Sequence, residues 1–196
     1  MDLKHMVIRE QNASSRRIYL SKQAFVDLVV SAIEVYKKEA FGLLVGRHEK
    51  NRSFVTDIIP YQSAQRSYEW VNMTSQRINR INFAMKHLTH EQVIGDFHSH
   101  PQGPDKLSAT DVSDLFHGKT VLTLLMSLYK KKSCEKWTNG DDDLALSGSI
   151  GGRYFVRMIP YEVDHKRGIL RRIKISCPYV RQLNRAKLYL APLCKD

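Results

Sequence analysis

The side chains best suited to chemistry lie in one stretch, Val93 to Asp111, which reads VIGDFHSHPQGPDKLSATD. It opens as an apolar strand and carries His98 and His100 at alternate positions. Side chains two apart on a strand share a face, so both imidazoles point the same way, about 7 Å apart on a rise of ~3.3 Å per residue. Two imidazoles so placed can converge on one cation. Pro101 ends the strand, which leaves the histidines at its mouth, and the chain then brings back a carboxylate, Asp111. Two imidazoles and one carboxylate leave a fourth tetrahedral position open, the arrangement of a catalytic rather than a structural zinc. That donor set suits zinc, with iron and manganese the weaker fits.

The same spacing has an architectural reading. Ser108 followed three residues later by Asp111 is the pattern of a helix capping box, which needs no metal. The two readings are compatible, because a serine that caps the helix also decides where the helix puts Asp111. A second carboxylate, Glu39, opens EAFGLLVG (39–46). A carboxylate beside a buried strand is costly without a partner. Following the lysines of YKK, it also reads as a solvated helix end.

The elements that must position these groups are visible in the hydrophobic periodicity. RRIYLS (16–21) predicts a strand leading into a cap. From Ser21, the spacing of Phe25, Leu28, Val29, Ala32, Ile33 and Tyr36 predicts an amphipathic helix to about Lys38. AFGLLVG (40–46) and SFVTDIIPY (53–61) read as strands, with Pro60 confining the second to an edge or an end. The stretch 62–73 has no period and reads as a loop, and Ile78, Ile81, Met85 and Leu88 mark a helix starting near Thr74 or Ser75. TVLTLLMSLY (120–129) is continuously apolar and suits a central strand. The polar, glycine-bearing stretch 130–152 reads as an insertion loop. RYFVRMIPYEV and ILRRIKIS then flank DHKRG as a hairpin, and Pro178 opens a last amphipathic segment through Val180, Leu183, Ala186 and Leu190. Helices interleaved with strands predict an α/β domain with a mixed sheet.

At 196 residues, 42% apolar and 26% charged, the chain has the length and composition of a globular domain with a substantial core. No apolar run approaches the ~18 residues of a membrane span, and the first residues lack the basic-then-apolar order of a secretory signal. The expectation is a cytoplasmic protein with no membrane partner. Cys134, Cys177 and Cys194 form no CxxC pair and are odd in number, which predicts idle thiols rather than a disulfide framework or a thiolate cluster. The net charge of +11 is uneven: residues 130–196 hold 15 Lys/Arg against 7 Asp/Glu, or +8. Such a surface attracts polyanions or acidic protein faces. Nucleic acid is one such partner, although no recognisable nucleic-acid-binding motif accompanies the charge.

Taken together, Glu39-x-x-Gly-x-Leu-x-Gly upstream and HSHP (98–101) with LSATD (107–111) downstream resemble the JAMM (MPN-plus) metalloprotease family, over roughly residues 18–160. GDFHSHP is similar to the stand-alone archaeal and bacterial members. The resemblance implies His98, His100 and Asp111 as zinc ligands, Glu39 as the catalytic glutamate and Ser108 as the serine that stabilises the transition state. It implies the cytidine-deaminase-like fold of the JAB/MPN domain, a mixed sheet packed by helices. It also implies hydrolysis of the peptide or isopeptide bond after the C-terminal glycine of a ubiquitin-like protein, free or conjugated. Residues 1–165 would form that domain, with the insertion at 130–152, and 166–196 a basic extension packed on it or continuing it. CEKWTNGDDDLAL (134–146) matches no substrate-binding pattern, so no linkage preference is implied.

Zinc lowers the pKa of its water to ~7, and Glu39 within reach would take that proton. A lysine amine of pKa ~10.4 must be protonated as it leaves, and Glu39 could return the same proton. Two rival functions stand beside this one. The first is a hydrolase of the same fold that frees a sulfur-carrier protein from its adduct. The second is a non-catalytic binding module whose basic tail docks nucleic acid or an acidic partner. Other zinc hydrolases fit less well: a barrel amidohydrolase needs a longer chain, and the deaminase pattern H-x-E with P-C-x-x-C is absent.

Overall fold

Arg17–Leu20 alternates half-buried and buried residues and forms β1, and the chain then turns at Ser21 into the first helix. The Ser21 hydroxyl oxygen accepts from Ala24 N at 3.0 Å and donates to the Thr56 carbonyl at 2.7 Å, so one side chain caps the helix and ties it to a strand. Helix α1 (Lys22–Glu34) buries Ala24, Phe25, Leu28, Val29 and Ala32. Its apolar spacing runs on to about Lys38, but the helix stops at Glu34 and Lys37 adopts a left-handed φ of 83°. The chain has to reverse there to enter the next strand, and that requirement overrides local periodicity.

In this computed structural model, residues 15–61, 75–118, 120–140 and 142–187 are described. After α1 come β2 (Phe41–Glu49), β3 (Arg52–Tyr61), α2 (Ser75–Leu88), β4 (Gln92–Pro101), α3 (Ala109–His117) and β5 (Leu122–Lys130). Then follow β6 (Thr138–Asn139), β7 (Leu146–Ile150), β8 (Tyr154–Asp164), β9 (Ile169–Arg172), β10 (Lys174–Ser176) and α4 (Val180–Arg185). The strands make one ten-stranded sheet in the order β10-β1-β3-β2-β4-β5-β8-β7-β6, with β9 pairing β8. β1 runs parallel to β10 and β3, β4 runs parallel to β5, and the other pairs are antiparallel. This is the mixed sheet with packed helices that the sequence predicts.

The hairpin over DHKRG forms, with Tyr161–Asp164 pairing Arg172–Ile169. Pro60 is tolerated because β1 pairs β3 only over Arg52–Val55, so Pro60 sits where β3 has β2 as its partner. The stretch 130–152 is more ordered than its composition predicts. It carries β6 and β7, and Gly148 lies flat against Trp137, where an added Cβ would come within 2.5 Å of the indole. The Asn184 side-chain amide holds the Trp137 backbone at both ends, accepting from its N at 3.0 Å and donating to its O at 2.7 Å.

One thiol departs from expectation. Cys134 is disulfide-bonded rather than idle. Cys177 is free and buried, and burial pushes its thiol up to about 11, as befits an inert core thiol. The loop expected over 62–73, Thr74 as a helix start, Leu190 and Cys194 lie outside the described residues. Among those described, no helix is long and apolar enough to cross a membrane.

Candidate metal centre

β4 lies in mid-sheet, antiparallel to β2 on one side and parallel to β5 on the other. The β2 pairing passes from Leu44–Gly95 to Val45–Val93, which leaves Ile94 as an extra residue. This bulge resets the alternation, so Ile94 and Phe97 join the apolar core below α1 while His98 and His100 face the side covered by α3. Close packing enforces the arrangement. Gly42 of β2 lies under the Phe97 ring, and a Cβ there would meet it at 2.5 Å. The two imidazole centroids are 5.0 Å apart and their planes are inclined by 59°.

α3 brings the carboxylate. Ser108 caps it, with Oγ accepting from Asp111 N at 3.1 Å, and Asp111 Oδ2 accepts from Ser108 N at 2.6 Å. The capping box is therefore real, and it is also what places Asp111. Asp111 Oδ2 lies 3.2 Å from His100 Nε2 and 3.7 Å from His98 Nε2. One donor atom from each of the three residues falls within 4.8 Å of the others, a group able to hold a metal ion.

Two observations test whether a cation suits this group. His98 Nε2 is buried and has no hydrogen-bond partner, which costs free energy unless something else satisfies it. The His100 ring is oriented from behind: Nδ1 lies 3.2 Å from the Pro104 carbonyl, an acceptor only, so Nδ1 carries the proton and Nε2 offers a lone pair. Two imidazole nitrogens and a carboxylate oxygen thus converge as electron-pair donors. For Asp111, burial opposes ionisation, but the hydrogen bonds from His100 and Ser108 and the nearby His98 imidazole outweigh it and hold the carboxyl well below its usual range. The bond to Asp111 raises the His100 pKa against the effect of burial, with the Pro104 carbonyl and the charge of Glu39 adding to the rise.

Glu39 arrives by strand pairing. Phe41 is opposite His98, and the ladder continues with Ser99 N donating to Ala40 O at 2.9 Å and Ala40 N donating to Ser99 Oγ at 2.7 Å. Glu39 precedes the paired strand, and its charge reaches His100. Glu39 therefore stands exposed just before β2, near enough to His100 for its charge to act there. Its exposed position matches a solvated helix end, and its charge also acts on His100.

Of the residues that the sequence singles out, His98, His100 and Asp111 come together in one cluster, Ser108 caps the helix that brings Asp111, and Glu39 lies exposed just before β2. Behind them stand groups that the sequence does not single out, namely Pro104 O, Asp105, Ser127, Tyr129 and Arg157. A signal for two of these was present: Ser127 and Tyr129 interrupt the apolar run of TLLMSLY, and they alternate like the histidines of the neighbouring strand.

A sequence model of the prokaryotic homologs of the JAB domain matches residues 21–140. Among solved structures, a protein from Desulfitobacterium hafniense, determined in solution, is similar with a TM-score of 0.54 and 21% identity, over 82% of this chain and 92% of that one. Another, from Salinibacter ruber, gives 0.47 and 18%, over 81% and 90%. No curated protein matches. At 21% identity the likeness to the first of these speaks for the fold alone.

Proposed function

The chain belongs to the family of prokaryotic homologs of the JAB domain, and from that premise we propose that it is a zinc-dependent peptidase or isopeptidase of the JAMM (MPN-plus) kind. Its substrate would be the bond after the C-terminal glycine of a ubiquitin-like protein or of its conjugates. The observation that carries the reading is the buried, unpartnered Nε2 of His98, which shares a 4.8 Å cluster with His100 and Asp111. Two imidazoles with one carboxylate and room for a fourth ligand favour zinc.

When bound, zinc supplies a Lewis acid that acidifies water toward pKa ~7 and polarises a carbonyl. The protein supplies the proton traffic. Glu39 accepts a proton from the attacking water and returns it to the departing amine, so one carboxylate acts as base and then as acid. Ser108 Oγ already accepts from Asp111 N, which leaves its own hydrogen free to donate to the oxyanion; one such donor contributes ~3 kcal/mol.

The test is a panel of ubiquitin-like and sulfur-carrier fusions incubated with the zinc-loaded protein, with and without chelator. Cleavage after the modifier's terminal glycine, abolished by chelator and restored by zinc, is the expected result. Intact fusions from a protein that binds zinc stoichiometrically would instead point to a binding module. Asp111→Ala removes the anionic ligand and should sharply weaken zinc binding; undiminished zinc content after chelator challenge contradicts that. A cytoplasmic location belongs to the same proposal. The disulfide at Cys134 stands against it, because such bonds are rare in reducing compartments. Alkylation and mass measurement of protein taken directly from cells decides the point.

A further inference from the structure

The loop 102–107 joins the two halves of the centre, leaving β4 after the histidines and entering α3 at Ser108. It is tethered along its length. Gln102 N donates to Leu128 O at 2.9 Å. The Tyr129 hydroxyl lies 2.6 Å from Gly103 O and 2.8 Å from Asp105 Oδ1, and its single proton serves these two acceptors. Arg157 Nη1 stands 3.7 Å from the other Asp105 oxygen. Ser127 Oγ donates to Pro104 O at 3.3 Å, the same carbonyl that meets His100 Nδ1. Gly103 presses against His100, since a Cβ there would fall 2.7 Å from the histidine's own Cβ.

The geometry points to Tyr129, with Asp105 and Arg157, as a positioning device for the metal centre: it pins loop 102–107 to the sheet so that the Pro104 carbonyl holds the His100 ring with Nε2 turned toward Asp111. This inference rests on reading His98, His100 and Asp111 as that centre. The strand register makes it possible. Ser127 is the β5 partner of His100 and is itself paired with Arg157 of β8, and Tyr129 lies two residues further along the same face. A rigid sheet therefore reaches over the loop from the strands beside the histidines. Such support from behind sets ligand orientation and commonly changes metal affinity by ~10–100-fold. Tyr129 is a dependable donor, because burial, together with the bond to Asp105 and its charge, pushes the hydroxyl up to about 12.

Tyr129→Phe removes the hydroxyl and keeps the ring. Zinc affinity is read by chelator competition on metal-free protein, and loop order by amide exchange at Gln102 and Gly103. The absorption of the Co2+-loaded protein reports ligand geometry. The expected result is faster exchange, a ~10–100-fold weaker zinc affinity and an altered cobalt spectrum. Asp105→Asn should change each in the same direction and by less. Faster exchange with zinc affinity and cobalt spectrum unchanged overturns the inference, because Tyr129 would then be a tether with no bearing on the centre; so does no change at all. If Tyr129→Phe fails to fold, Ser127→Ala, which removes only the hydroxyl bonded to Pro104, is judged on the same readouts. A parent protein that binds no zinc overturns the metal reading and this inference together. A parent that binds zinc no more tightly than Tyr129→Phe does overturns the inference alone.

Discussion

The two faces of the sheet divide the work. Against α1 lies a large apolar core that includes Ile18, Leu28, Leu44, Phe97, Leu124, Met126, Leu128, Val156 and Met158. Against α3 lies a smaller apolar cluster of Val112, Leu115, Leu125, Ile159, Tyr161 and Val163. The rest of that second face is polar: Asp96, His98 and His100 on β4, Ser127 and Tyr129 on β5, and Arg157 on β8. β5 shows the division within a single strand, with Leu124, Met126 and Leu128 on one side and Leu125, Ser127 and Tyr129 on the other. A strand buried on both sides need not be apolar on both. It can carry polar groups on one of them, provided that each finds a partner.

Two carboxylates on the α3 side show how local the environment is. Burial pushes the Asp96 carboxyl up, although Thr123, Thr120 (whose hydroxyl donates at 2.8 Å) and the charge of His98 pull the other way. Asp111 goes down, because two imidazoles and a helix cap face it. The same kind of side chain is therefore shifted toward its protonated form at one place and toward its charged form at the other.

If the faces have separate duties, substitutions should separate them. Glu39→Gln should reduce hydrolysis by roughly 10²–10⁴-fold while zinc stays bound; turnover equal to the parent removes Glu39 from the chemistry. On the opposite face, Leu124→Ala should lower stability by about 2–5 kcal/mol in urea unfolding, with zinc affinity unaltered. A matching loss of zinc affinity would mean that the two faces are not independent. Ser108→Ala touches both duties, lowering stability by about 1 kcal/mol through the lost cap and turnover by roughly 10²-fold or more through the lost donor. A turnover loss no larger than the loss of folded protein would leave Ser108 as a cap alone.

The smallest effect is expected from pH. In the metal-free protein the His100 pKa is raised from 6.5, so its pairing with ionised Asp111 stabilises the fold fully below that value and fades as pH rises through the raised one. Asp111, shifted down from 3.8, contributes above that value and loses its contribution only in acid. Zinc competes with the proton on His100 and gains as the proton leaves. The difference in Tm between zinc-loaded and metal-free protein should therefore widen from pH 6 to pH 9 on this direction of shift. A constant difference across that range would show that His100 does not carry the exchangeable proton.

Much of the site could be read in advance because its rules are short in range. Alternation on a strand puts His98 and His100 on one face whatever the rest of the chain does, and a serine three residues before an aspartate caps a helix through bonds that span a single turn. Where the reading fell short, a distant partner had intervened. α1 ended before its apolar pattern because the chain had to reach β2, and 130–152 gained strands because β8 and Asn184 were there to receive them.

The residue order was enough for the kinds of groups involved, for the pairing of the histidines on one face and for the local cap that orients Asp111. Only folding in three dimensions decided that Asp111 would close on the histidines, that the charge of Glu39 would reach His100 some sixty residues further along the chain, and that Tyr129 and Arg157 would brace the loop between them. Backbone dihedrals and single-turn hydrogen bonds belong to neighbours in the chain. Register between distant strands depends on how the whole core closes, and a local pattern carries no record of it.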